Sequence, residues 1–296
     1  MSYLYKSCHH KFQARPMHKL SVSRKRKAFP KLLQTLPRFT VYQCIKFYFL
    51  LKSQQVCNSN FLFQKLDCMV KIKLSLIEVI VLATCIVVLA VGYFLFYTNV
   101  PRFEKFVQED GIAEWLTVAG LLPASFVSFY RVIKLFNKRS KWFLFVTLCL
   151  GLFLFFSSGE EISWGQRIFG IQTPEYFEKH NAQQEMNLHN LVVGGVKINK
   201  LFFSFILVGA LCIYLVIVPL LYQKNNAIKK FINASGVPVP RLYQVIGFLL
   251  VFALTSLIPH GKQAELLECD GALLFFLIIL YPKNKEIFIP GRSLQA

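Results

Sequence analysis

The chain reads as an all-α, polytopic membrane protein of about six transmembrane helices, with both termini cytoplasmic and a long extracytoplasmic loop between helices 3 and 4. Three observations predict this. Of its 296 residues, 55% are hydrophobic and only 17% charged, whereas soluble domains carry about 25% charged residues to cover a water-facing surface. Apolar runs of near-membrane length recur six times. Lys and Arg fall into every second connection between those runs. The apolar content excludes a soluble enzyme and an intrinsically disordered chain.

The net charge of +19 belongs mostly to one end. Residues 1–73 hold 15 Lys/Arg against the single acid Asp67, and the remaining 223 residues hold 19 against 14. A nucleic-acid-binding domain mounts its basic residues on a packed scaffold; this basic part shows no helical or strand period, so no nucleic-acid partner is expected. Residues 1–68 form a basic N-terminal segment that includes Arg24-Lys25-Arg26-Lys27. It reads either as an arm that binds anionic lipid headgroups or as translated upstream sequence ahead of a true start at Met69. The second reading is preferred, because Met69-Val-Lys-Ile-Lys leads straight into a long apolar run. The eight Cys include no C-x-x-C pair, which suggests neither a disulfide framework nor a Cys-ligated zinc site.

Residues 69–296 then form a six-helix domain with spans at about 74–97, 113–133, 142–158, 201–222, 242–258 and 264–281. A helix needs about 20 residues to cross a hydrocarbon core of about 30 Å. The first, second and fourth runs meet that length outright, and the third and fifth sit at its lower limit. The sixth has a clean apolar part of only 11 residues, Gly271–Tyr281. A spanning helix must therefore draw in Ala264–Asp270 and with them Glu265 and Glu268; a re-entrant segment is the alternative. Basic residues crowd the approach to the first span (Lys71, Lys73), the second connection (Arg131 to Lys141), the fourth (Lys224 to Arg241) and the tail (Lys283, Lys285, Arg292). The connections between them do not follow: residues 99–112 hold two bases against three acids, and residues 159–200 hold four against five. That alternation places both termini inside.

With this topology the unusual polar residues share the outer side: Glu109, Asp110 and Glu114; Glu160 and Glu161; Glu185, Asn187, His189 and Asn190; His260, Glu265 and Glu268. Ionisable groups near hydrocarbon cost a few kcal/mol unless paired or hydrated, which makes them functional candidates. Glu109 and Asp110 read better as solvated loop carboxylates. If the third helix continues, Ser157, Glu160, Glu161 and Trp164 share one face, with Arg167 as the local partner for the two carboxylates. Thr173-Pro174-Glu175 reads as a helix start with Thr as N-cap and Pro at the first position. That helix would carry Glu185 and His189 at i, i+4, where carboxylate and imidazole can ligate one metal or form an acid–base couple; an anchoring Glu–His hydrogen bond is the alternative. Glu160, Glu161, Glu185 and His189 are the catalytic candidates, with Glu185 and His189 also the metal candidates for a divalent ion. Trp164, Gln166, Asn187, Asn190, Glu265 and Glu268 complete the polar site. Glu78 in the first span reads as a snorkelling or helix-packed carboxylate. H-E-x-x-H, Walker A, G-x-S-x-G and G-x-G-x-x-G signatures are absent, so phosphate-loop and nicotinamide chemistry find no support.

Gly159-Glu-Glu-Ile-Ser-Trp-Gly-Gln-Arg167, Thr173-Pro174-Glu175 and Glu185-Met-Asn-Leu-His-Asn190 resemble a family of multi-span bacterial inner-membrane proteins to which no activity is assigned. The resemblance covers roughly Leu74 to Tyr281 and implies fold and location, not reaction. More loosely, the chain is similar to the alkaline-ceramidase-like membrane hydrolases, which place three His with Asp and Ser around zinc. Here the membrane part offers only His180, His189 and His260, without an H-x-x-x-H pair, a departure that weighs against zinc hydrolysis. Three readings stay open. The first is a membrane-embedded enzyme on a lipid or lipid-linked substrate, with a divalent metal activating water or clamping a phosphate. The others are a transporter or ion-coupled carrier and a non-catalytic assembly or interaction protein.

Overall fold

A computed structural model describes residues 73–108, 110–193, 196–197 and 207–291. The basic segment 1–68, the alternative start at Met69, Glu109 and the opening of the fourth apolar run lie outside these residues. The described chain is mostly helical. Its elements are α1 (Leu76–Thr98), α2 (Val100–Phe106), α3 (Ile112–Leu135), α4 (Lys141–Glu161), α5 (Gln166–Phe169), α6 (Glu175–His180), α7 (Leu207–Cys212), α8 (Val218–Lys224), α9 (Asn226–Ala234), α10 (Leu242–Thr255) and α11 (Gln263–Leu280). A two-stranded antiparallel hairpin, β1 (Val192–Val193) with β2 (Val196–Lys197), interrupts the helical pattern in the loop after α4.

Each helix begins and ends for local reasons. Ser75 caps α1 in a capping box with Glu78, and Ser140 caps α4 by accepting from the Phe143 amide, each satisfying amides that the helix itself leaves unpaired. Asn99 ends α1 and caps α2, where Pro101 stands in the first turn and needs no donor. Pro219 lacks an N–H for the preceding turn, and a turn of π-helix, Ile213–Ile217, joins α7 to α8 just before it.

Among the described residues, three helices are long and apolar enough to cross a membrane: α1, α3 and α4. The apolar stretches Gly209–Lys224 and α10 are shorter. α11 has 18 residues but carries Glu265, Glu268 and Asp270 in its first half.

α3 packs against α4 on one side and α11 on the other, and α11 also meets α10 and α1. At Gly120 the two helix backbones themselves come close: an added Cβ would sit 2.7 Å from the Ala272 backbone carbon of α11. No side chain fits there. The main core gathers Val81, Cys85 and Val88 of α1 with Leu266, Cys269, Leu273 and Leu277 of α11 and Phe248 and Val251 of α10. At the C-terminal end of α11, Gln244 donates to the Leu277 and Tyr281 carbonyls. Nearby, Glu78 accepts from Arg241 at 3.2 Å and from the Tyr243 hydroxyl. Glu78 is therefore helix-packed and ion-paired, at the end of α11 opposite its three acids.

Candidate functional site

The loop after α4 folds back through a left-handed turn. Ser163, Trp164 and Gly165 have φ of 46°, 57° and 76°. The first two have a Cβ, so each costs about 1–2 kcal/mol in this conformation. α4 ends at Glu161, and Trp164 does not continue its face as the spacing predicted. Instead its ring covers Gly159 and meets Phe156 edge-on, and its Nε1 donates to Glu160 Oε1 at 2.8 Å. The other Glu160 oxygen accepts from the backbone amides of Leu188 (2.5 Å) and His189 (3.1 Å). Glu160, 5% exposed, is thus a structural staple between α4 and the returning loop.

Gln166 is a second staple. Its Nε2 donates to Thr173 Oγ1 and its Oε1 accepts from the Met186 amide, both at 2.6 Å. Thr173 is spent in this contact and on the Gln184 carbonyl. Pro174 takes the N-cap position in its place, without a side-chain bond. α6 stops at His180, so Glu185 and His189 lie in irregular chain and do not share a helical face. Asn181 and Asn187 knit that chain together: Asn181 Nδ2 donates to Asn187 Oδ1 at 2.9 Å, and Asn187 Nδ2 donates to Ser163 Oγ at 2.9 Å. Asn190 closes the loop by donating to Gln183.

Arg167 does not pair with the adjacent carboxylates of α4, as its position suggested. Its guanidinium gathers three more distant acids: Glu185 at 2.5 Å, Asp110 at 2.9 Å and Glu114 at 3.3 Å. Glu185 also accepts from Ser163 Oγ (2.6 Å) and Asn187 (3.2 Å). Its two oxygens are committed, which leaves Glu185 and His189 ill-suited as a metal couple. Among the described residues, no group of three or more His, Cys, Asp or Glu side chains is arranged to hold a metal ion.

Between this braced loop and the adjoining ends of α3, α4 and α11 lies a cavity of about 370 Å³. Glu114, Glu161 and Glu265 line it with Arg167, Glu185, His189, Asn187, Asn190, Gln108, Gln183 and Lys262. The acids divide into two sets. Glu114, Glu160 and Glu185 are held by hydrogen bonds or by Arg167. Glu161, Glu265 and Glu268 have neither a hydrogen bond nor an ion pair among the described residues; they act electrostatically on one another, with Lys262 as the cation nearest Glu265. Glu265 and Glu268 are both exposed on α11, and only Glu265 lines the cavity. Burial holds His189 below the usual imidazole range, against the pull of Glu160 and Glu185, so the ring is a neutral base at pH 7.

The three outer segments thus converge, although their residues take different parts. Gln108, Gln183 and Lys262 were not foreseen, and nothing in their local sequence marks them. Asp270, in the same helix as Glu265 and Glu268, was open to the argument that selected those two. His260 sits apart, 3.2 Å from Glu104 and edge-on to Phe103. Searches against protein-family models, curated proteins and solved structures find no match to this chain.

Proposed function

We propose that this chain is a six-span membrane enzyme, N-in and C-in, that acts from the outer side on a lipid or lipid-linked substrate. Glu161 and Glu265, with His189, would carry the proton transfers. The observation that carries this reading is the pair Glu161 and Glu265, left without hydrogen-bond or ion-pair partners in a cavity whose other acids are tied down. A protein serving only to pack against partners has no need to hold such groups together, because the half-buried Glu161 is held against the like charge of the exposed Glu265. Proton transfer does need them, since a positioned acid or base contributes roughly 10²–10⁴-fold to rate. Glu160, Gln166, Asn181 and Asn187 then act as positioning residues that hold the loop over the cavity.

The bilayer assignment is supported by the helices that stand at each of the six apolar runs. It is also supported by the cavity and the Glu78–Arg241 pair lying at opposite ends of α11. The committed oxygens of Glu185 disfavour a metal-assisted route through Glu185 and His189, and the reading therefore rests on carboxylate and imidazole chemistry. An ion-coupled carrier is the second reading, favoured by the buried Asp270 of α11.

The test is lipid analysis by mass spectrometry. Purified protein in nanodiscs is incubated with a total bacterial lipid extract, alongside a Glu161→Gln variant of equal thermal stability. The expected result is a lipid consumed and a product formed by the native protein alone. Identical lipid profiles would remove the enzyme reading.

A further inference from the structure

A fully buried carboxylate of α11 plays no part in the cavity. Asp270 is fully buried in α11, and neither of its oxygens has a hydrogen-bond partner. It lies five residues beyond Glu265, about 7.5 Å further along the helix axis. The Cys85 thiol of α1 faces it as a weak donor. Cys269 beside it faces the Thr117 hydroxyl of α3 and feels the charge of Glu161 at the cavity. α10 brings Tyr243, whose hydroxyl is bonded to Glu78 at the far end, and the π-helical turn Ile213–Ile217 packs Tyr214 on Phe275 of α11 with its hydroxyl donating to the Pro238 carbonyl. No Lys, Arg or His faces Asp270 from α1, α3 or α10.

A bare carboxylate ion in this setting would have no counter-charge facing it from these helices and only a weak thiol donor beside it, too little to make buried charge tolerable. The side chain must therefore carry a proton or a small cation, and the surrounding thiols and hydroxyl suit a proton. Intramembrane acids of this kind mark proton relays. We infer that Asp270 is a proton-exchanging site inside the helix bundle, served from the cavity at the Glu265 end of α11. Exchange moves one proton: an Asp270 oxygen gains it as water in the cavity gives it up, and the reverse step restores both. The inference does not depend on the outer cavity being a reaction site, since a carrier would use the same group.

The chain holds only three aspartates, Asp67, Asp110 and Asp270. Infrared spectroscopy of the intact protein in lipid, with carbon-13 at the aspartate carboxyls, can therefore isolate the Asp270 acid band, and Asp270→Asn assigns it. The expected result is a protonated-carboxyl band that fades as pH rises and shifts within minutes in D₂O. A band that neither titrates nor exchanges would make Asp270 a sealed structural acid and overturn the proposal. So would the absence of any such band at all pH values. Loss of the band on adding sodium at constant pH would overturn it in favour of a metal-cation site. The isotope measurement uses the native sequence, so it stands even where Asp270→Asn fails to fold.

Discussion

The adjacent residues Glu160 and Glu161 do opposite work. The first turns into the loop and spends both oxygens on Trp164 and two backbone amides; the second faces the cavity. His189 joins the two, since its amide is held by Glu160 while its ring lines the cavity. Because burial lowers the His189 pKa from 6.5 in the fold, the unfolded chain binds that proton more readily. Stability is therefore undiminished above the ordinary imidazole value and declines as pH falls through and below it. Thermal unfolding should show the native protein losing more stability between about pH 8 and about pH 5.5 than a His189→Gln variant does. Equal losses would mean that the ring is already hydrated. None of this was legible in the local sequence. The i, i+4 spacing of Glu185 and His189 carries meaning only on a helix, and the chain there is organised by Asn side chains bonding to backbone instead.

The helices were far more legible than the loop. The run predicted at 113–133 is a helix over Ile112–Leu135, and the one at 242–258 is a helix over Leu242–Thr255, because apolar length and polar ends are recorded locally. The left-handed turn at Ser163–Gly165 has only Gly165 as a signal, and Arg167 finds Glu114 across 53 positions of sequence. Contacts that distant depend on which helices pack together, as α3 does with α11 through Gly120. There, Gly120→Ala drives a methyl into the Ala272 backbone and should cost about 1–3 kcal/mol. Gly209→Ala in α7, with open space around the new Cβ, should be neutral or gain about 0.5–1 kcal/mol. Comparing the two denaturation midpoints checks the packing directly; similar midpoints would contradict the close α3–α11 contact.

For the whole molecule, three helices are long and apolar enough to cross a membrane, and the proposed sidedness rests on the basic connections. The same division runs through the structure, with Glu78, Arg241 and Tyr243 joined at one end of α11 and the acidic cavity at the other. The short helix α9 fits the basic side: Lys229 and Lys230 precede an exposed Phe231, a pattern suited to an anionic membrane surface. Single cysteines at Lys138 and Asn226 should react with a membrane-impermeant maleimide only after the cells are opened. Cysteines at Gln172 and Lys179 should react in intact cells. The reverse pattern, or labelling of all four from outside, would overturn the proposed topology.

The central claim is that the outer acids divide into scaffold and reactive sets. It is tested most directly by measuring unfolding free energies of four single variants in the same lipid and buffer. Glu160→Gln and Glu185→Gln each break contacts that hold the loop and should lose about 1–3 kcal/mol. Glu161→Gln and Glu265→Gln remove mutually repelling carboxylates and should be as stable as the native protein or more so, as expected where a site gives up stability for function. Comparable losses in all four would contradict the division and return Glu161 and Glu265 to the scaffold.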